Sequence, residues 1–99
     1  MYYTYALYSA EDKKFYIGYT ENLKRRLAEH NSGKNHTTLR FSNINLIFYE
    51  AFLSKNDAMR RERYFKTTQG KKALKLILKE SIVLTGSVTV AQQTLALLV

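Results

Sequence analysis

Tyr16-Ile17-Gly18-Tyr19-Thr20-Glu21-Asn22-Leu23-Lys24-Arg25-Arg26-Leu27-Ala28-Glu29-His30 is the stretch whose reading decides the fold. Phe15 and Ile17 alternate with Tyr16 and Gly18 at the period of a half-buried strand, whereas Leu23 and Leu27 repeat at the spacing of a helix face. The period changes between Gly18 and Asn22, so a strand feeds directly into a helix. Thr20 stands where a side-chain oxygen can cap the first helix amides, and Gly33 where a left-handed residue can close the helix. On that helix Arg26 and His30 flank the Leu23/Leu27 stripe, which puts them at the edge of a core. An ordinary charged surface helix is the plainer alternative.

Before this stretch, Tyr2 to Tyr8 is rich in strand-favouring residues and reads as a first strand. The short polar run from Ser9 to Asp12 suits a hairpin loop, with the second strand from about Lys13 to Tyr19. A hairpin symmetric about Ala10 and Glu11 brings Tyr5 opposite Tyr16, two phenols on one face. From these residues alone, a cross-strand aromatic pair that only stabilises the hairpin is the favoured reading.

After the helix, the run 31–43 has no sustained period, and mixes Lys34, His36 and Arg40 with hydroxyls and amides. It reads as a long polar loop able to donate to phosphates. Ile44 to Phe52 is a third strand, with Ile44, Leu46 and Phe48 on one face and Ile47 and Tyr49 on the other, the pattern of a central strand.

Ser54 and Asp57 resemble a capping box opening a helix that runs to about Lys66. Ala58, Glu62 and Phe65 share one face of it, so Glu62 is a carboxylate leaning toward the apolar side. Burying a bare charge is costly, so Glu62 needs an arginine or a cation beside it. Gln69 and Gly70 then break the helix, and Lys71 to Glu80 forms an amphipathic packing helix on Ala73, Leu74, Ile77 and Leu78. From Ser81 to Val99 no residue is charged, which marks 81–99 as an apolar tail beyond a domain of 1–80; it could cover an apolar patch or mediate self-association.

Composition narrows the function. Ninety-nine residues support one small domain, and the eight Tyr and five Phe supply enough apolar surface for it to fold. Sixteen Lys and Arg against eight Asp and Glu give a net charge of +8, a field that attracts polyanions, nucleic acid first among them. With no Cys, thiolate zinc sites, disulfides and cysteine nucleophiles are excluded; with only two His, a metal site must lean on carboxylates and favour a hard ion such as Mg²⁺. The N-terminus lacks the pattern of a secretory signal and the tail is too polar for a membrane span, so a cytoplasmic protein with no membrane partner is expected.

Tyr5, the Tyr16-Ile17-Gly18 tripeptide, Arg26, His30 and Glu62, together with the Asn22-to-Leu27 and Asp57-to-Arg63 segments in that order, resemble the GIY-YIG nuclease family over roughly residues 1–80. The first signature keeps only its final tyrosine, in Tyr3-Thr4-Tyr5, and no counterpart follows Glu62 for the asparagine of some members. The resemblance implies an α+β fold, a small three-stranded antiparallel sheet flanked by about three helices. It implies metal-dependent endonuclease activity on DNA, branched or damaged forms among the substrates. Glu62 is then the ligand of Mg²⁺ or Mn²⁺, Arg26 stabilises the phosphate, Tyr5 is the candidate general base, and Tyr16 or His30 orients the water or phosphate. Because a phenol ionises near pH 10, the base role calls for nearby cations, Arg26, the metal and Lys14 being the candidates. Lys14, Arg25, Lys34, His36 and Arg40 are the expected nucleic-acid contacts. The alternative is a non-catalytic or weakly catalytic basic nucleic-acid-binding module on the same scaffold.

Overall fold

A computed structural model describes residues 1–31 and 44–85 of the chain. Gly33, Lys34, His36 and Arg40 lie outside the described residues, as does 86–99. Three strands, β1 (Tyr2–Ser9), β2 (Lys14–Thr20) and β3 (Ile44–Phe52), form one antiparallel sheet in the order β2-β1-β3. Among the described residues four helices accompany it: α1 (Leu23–Asn31), α2 (Lys55–Phe65), α3 (Thr68–Ile77) and α4 (Lys79–Leu84). The fold is therefore α+β with a three-stranded antiparallel sheet, as expected.

The central strand is β1, not β3. Apolar residues on both faces of β3 suggested the reverse, but β1 is the strand buried on both faces, without a break from Thr4 to Ser9. Thr4 and Ala6 explain the difference, being small enough for α2 to approach closely. The Thr4 hydroxyl donates to the Ala58 carbonyl at 2.6 Å, and both residues are fully buried.

Alternation along the strands then builds a core on each face. On one face Ala6 and Ile17 pack with Phe65, Leu74 and Leu78, joined by Phe48 and Ile82. On the other, Tyr5 and Leu7 pack under Leu23 and Leu27 of α1, joined by Tyr16, Ile44 and Leu46. The simple alternation expected for β3 fails midway, because a register shift sends Phe48 opposite Ala6 and Leu46 opposite Leu7. Ile47 is left over and turns to the α2 side.

The hairpin also differs from expectation. Its loop is 10–13, with Lys13 left-handed at φ 54°, so Ser9 faces Lys14 and Tyr5 faces Gly18, while Tyr16 faces Leu7. The Ser9 hydroxyl anchors the loop by accepting from the Asp12 amide at 3.1 Å. Moving the axis of symmetry by one residue slides the partner by two, which preserves the face. Tyr5 and Tyr16 are diagonal neighbours on one face and not a direct pair.

Helix boundaries follow local donors. Asn22, not Thr20, caps α1: its Oδ1 accepts from the Arg25 amide at 3.0 Å, while Thr20 Oγ1 accepts from the Asn22 amide at 3.1 Å. Ser54 is at the cap of α2 but its side chain makes no capping bond, and Asp57 instead accepts from Arg60 at 2.9 Å. Arg61 ties α2 to β3 through both oxygens of Glu50, at 2.8 and 3.0 Å, with its guanidinium 4.3 Å above the Phe65 ring. The break after α2 comes at Lys66 and Thr67. Gly70 is inside the first turn of α3, where the chain crosses Tyr64 closely, and is no helix breaker. The segment expected as one helix over 71–80 is divided by Leu78 between α3 and α4, which leaves Ile77 exposed and off the stripe. Helix continues to Leu84, and the Thr85 carbonyl accepts from Asn45 Nδ2 at 3.3 Å. Among the described residues no helix is long and apolar enough to cross a membrane.

Candidate active site

The packing of α1 determines what reaches Tyr5. Leu23 and Leu27 lie on the sheet face that carries Tyr5 and Leu7, and His30, three residues beyond Leu27, continues that stripe into a buried position. His30 Nε2 lies 3.1 Å from the Tyr5 hydroxyl. The imidazole also meets Tyr16 edge-on, with ring centroids 5.2 Å apart and planes at 72°. Two strands and a helix thus supply one aromatic cluster.

Gly18 makes room for it. A Cβ there would fall 2.3 Å from both Cζ and the hydroxyl of Tyr5, so the phenol lies across the bare backbone of β2. A glycine inside a strand signals such a close approach, and the Tyr-Ile-Gly tripeptide carried that signal.

Electrostatically the residues converge on the same hydroxyl. Burial pushes the Tyr5 phenol well above its ordinary 10; the Arg26 guanidinium opposes this, while Tyr16, Glu62 and Glu29 add to the rise. Burial and Arg26 hold His30 below its usual 6.5, against the pull of Glu29. At neutral pH His30 is therefore uncharged and Tyr5 protonated. Tyr16 (β2), Arg26 and His30 (α1) and Glu62 (α2) all act on the Tyr5 phenol of β1. Glu29 joins them, and no pattern in the sequence announced it.

Among the described residues Glu62 is not sealed against an arginine. Its Oε2 accepts from Lys66 Nζ at 3.0 Å, with the lysine side chain 56% exposed and the glutamate 21%. That partner was legible as an i, i+4 pair, glutamate first. Such surface pairs are worth only about 0.3–0.5 kcal/mol, so a cation can displace the lysine. Among the described residues no group of three His, Cys, Asp or Glu could enclose a metal. A lone carboxylate fits Mg²⁺ or Mn²⁺, which keep several waters and use substrate phosphate oxygens, and does not fit a caged Zn²⁺.

The nucleic-acid contacts expected from sequence divide differently. Arg25 is exposed on α1, on the turn that carries Arg26. Lys14 is exposed at the loop end of the hairpin, opposite Ser9, and is not among the charges felt at Tyr5.

A family model described as the GIY-YIG catalytic domain matches residues 1–75. The chain belongs to the GIY-YIG family. Among relatives, a UPF0213 protein of Pediococcus acidilactici is 38% identical over 87 residues, 85% of this chain and 88% of that protein. A UPF0213 protein of Streptococcus pyogenes is 48% identical over 65 residues, 65% of this chain and 70% of its own. The solution NMR structure of a UPF0213 protein from Bacillus halodurans is similar with a TM-score of 0.53 and 32% identity, over 90% of this chain and 100% of that one. Both the three-stranded sheet and the Tyr-Ile-Gly signature at Tyr16 therefore stand within a GIY-YIG domain.

Proposed function

We propose that this GIY-YIG domain is an endonuclease that hydrolyses DNA phosphodiester bonds with Mg²⁺ or Mn²⁺ held by Glu62. The observation that carries the reading is the convergence on Tyr5: a phenol paired with a neutral histidine and lying in the field of Arg26 and Glu62. The chemistry such a set supports is proton transfer beside a negatively charged group.

A bound divalent cation would supply positive charge to the phosphate and the departing oxygen. Arg26 donates to the non-bridging oxygens. With phenolate formation disfavoured by burial, Tyr5 acts as a relay: its oxygen takes the proton of the attacking water as its own proton passes to His30 Nε2. This requires the Nδ1–H tautomer of a neutral His30, the charge state that burial favours. Tyr16, edge-on to the imidazole, holds the ring in line. Lys14 and Arg25, with Lys34, His36 and Arg40, bind phosphates away from the scissile bond and set register.

The test is nicking by the wild type, Glu62→Ala and Arg26→Ala across a Mg²⁺ titration. Each substitution is expected to slow nicking at least ~100-fold, the usual effect of losing one charge-stabilising group. Glu62→Ala should melt close to the wild type, since the Glu62–Lys66 pair is superficial. Nicking that persisted in both would sink the site.

A pH profile separates the relay from a simple base. His30 must be neutral to accept, and its pKa is lowered, so the rate should fall on acidification with a midpoint below 6.5. A limb that rises only above about pH 9 would assign the step to ionisation of Tyr5 alone.

The buried, protonated Tyr5 also favours the second reading, a binding module without catalysis. That module binds DNA with a steep salt dependence, indifferent to metal and to Glu62→Ala, and nicks nothing.

A further inference from the structure

Tyr49 of β3 stands directly across from Tyr5, on the side of β1 away from Gly18. The two residues share a sheet face, but the Tyr5 ring reaches the other way, over Gly18 of β2, so Tyr49 lies two strand spacings, roughly 10 Å, from the Tyr5 hydroxyl. Yet the two rings have opposite environments: Tyr5 is 2% exposed and Tyr49 is 46% exposed. Tyr49 packs edge-on against Tyr3, ring centroids 6.1 Å apart and planes at 62°, and the next pair along the strands, Tyr3 and Ala51, leaves Ala51 exposed as well. The core of this face, Tyr5, Leu7, Leu23 and Leu27 with Tyr3 packed against it, does not include Tyr49.

A half-exposed aromatic ring, braced from one side and open on another, buries too little surface to serve the core. It does present a flat apolar face on the side of the sheet that carries the candidate proton relay, on a chain whose charge of +8 already draws phosphates in. Nucleobases inside a duplex have their faces covered by their neighbours, whereas an unpaired base offers one to any aromatic ring it meets.

We infer that Tyr49, braced by Tyr3, is a stacking subsite for an unpaired nucleobase of DNA on the same sheet face as the Tyr5 relay, so that the substrate carries a single-stranded segment near the scissile phosphate. This rests on the nuclease reading of Tyr5 and adds the substrate feature that reading lacks. Base-on-aromatic stacking tolerates every base, so the subsite selects for strandedness and not for sequence.

The experiment uses the full chain, without divalent metal so that binding is read apart from cleavage, and single-stranded oligonucleotides carrying 2-aminopurine, alongside duplexes of the same sequence. Wild type and Tyr49→Phe should quench the 2-aminopurine emission on binding. Tyr49→Leu, which keeps an apolar side chain and removes the ring, should bind the single strand roughly tenfold to a hundredfold more weakly with no change on duplex. With Mg²⁺ restored, its nicking of single-stranded segments should fall in proportion. Equal affinity of Tyr49→Leu and wild type for the single strand would overturn the inference while wild-type nicking leaves the nuclease reading intact. Wild type that nicks no DNA and binds neither form would remove both.

Discussion

Replacing Gly18 with alanine should abolish metal-dependent nicking in a protein that still folds. The added Cβ would lie 2.3 Å from Cζ and the hydroxyl of Tyr5 and 2.8 Å from Cε2, so the phenol must leave its position by about an ångström or more. The ring cannot do so freely, since it is packed against Leu7, Leu23 and Leu27. Its hydroxyl would lose the 3.1 Å contact with His30, and displacement on that scale costs an active site on the order of 100-fold or more in rate. Overpacking should lower stability by about 1–3 kcal/mol, measured by urea unfolding. Because the nearest atoms met by the new methyl all belong to Tyr5, that loss should shrink in Gly18→Ala/Tyr5→Leu relative to the sum of the single variants. Nicking at the wild-type rate by Gly18→Ala would show that the position of the phenol is irrelevant to the chemistry.

The close approach of Tyr5 to Gly18 is a relation between two strands which periodicity could only half reveal. Tyr5 and Tyr16 share a face whichever of the two registers holds, because sliding a partner by two residues leaves the alternation intact. The position of the loop decides the rest: with 10–13 as the turn, glycine and not Tyr16 lies opposite Tyr5. A left-handed Lys13 gives no local warning of that, lysine being an uncommon choice for the conformation.

Strand order was less legible still. Apolar residues on both faces are as compatible with an edge strand whose middle is covered as with a central one, and Ile44–Phe52 is the former. The better signal was size: Thr4 and Ala6 let a helix backbone approach, and a strand so approached is covered on that face. The bounds of β3 were readable from its hydrophobic run, and those of α2 nearly so.

For the candidate site, residue types were legible because few roles suit them. A glutamate on the apolar side of a helix needs a cation, and a histidine continuing a leucine stripe points inward. Partners across elements were not. Nothing local predicts that His30 reaches Tyr5, or that Glu29 contributes to the potential at both groups. Those relations come from how α1 lies on the sheet.

The second large effect is on folding, at Gly70, where intuition about glycine has the wrong sign. In an exposed helix, Gly→Ala stabilises by about 1 kcal/mol. Here a Cβ would fall 1.9 Å from the Tyr64 carbonyl oxygen, 2.6 Å from its carbon and 2.8 Å from the Phe65 Cα, all backbone atoms with no rotamer to change. The junction is held from several sides: the Thr67 hydroxyl donates to the Tyr64 carbonyl at 2.6 Å and accepts from the Gly70 amide at 3.0 Å, and the Thr67 amide donates to Tyr64 at 3.0 Å. Opening it costs the Thr67 cap, about 1 kcal/mol, and loosens the contact of Phe65 with Leu74, both essentially buried. Backbone overpacking adds about 1–3 kcal/mol or more. After subtracting the propensity gain, Gly70→Ala should lose about 1–3 kcal/mol or more, read as a fall in the urea midpoint at unchanged m-value. A variant as stable as the wild type would mean that α3 can back away from α2 at little cost. In that case Phe65 no longer fixes the helix that carries Glu62, and the position of the carboxylate would have to come from Arg61 on Glu50 instead.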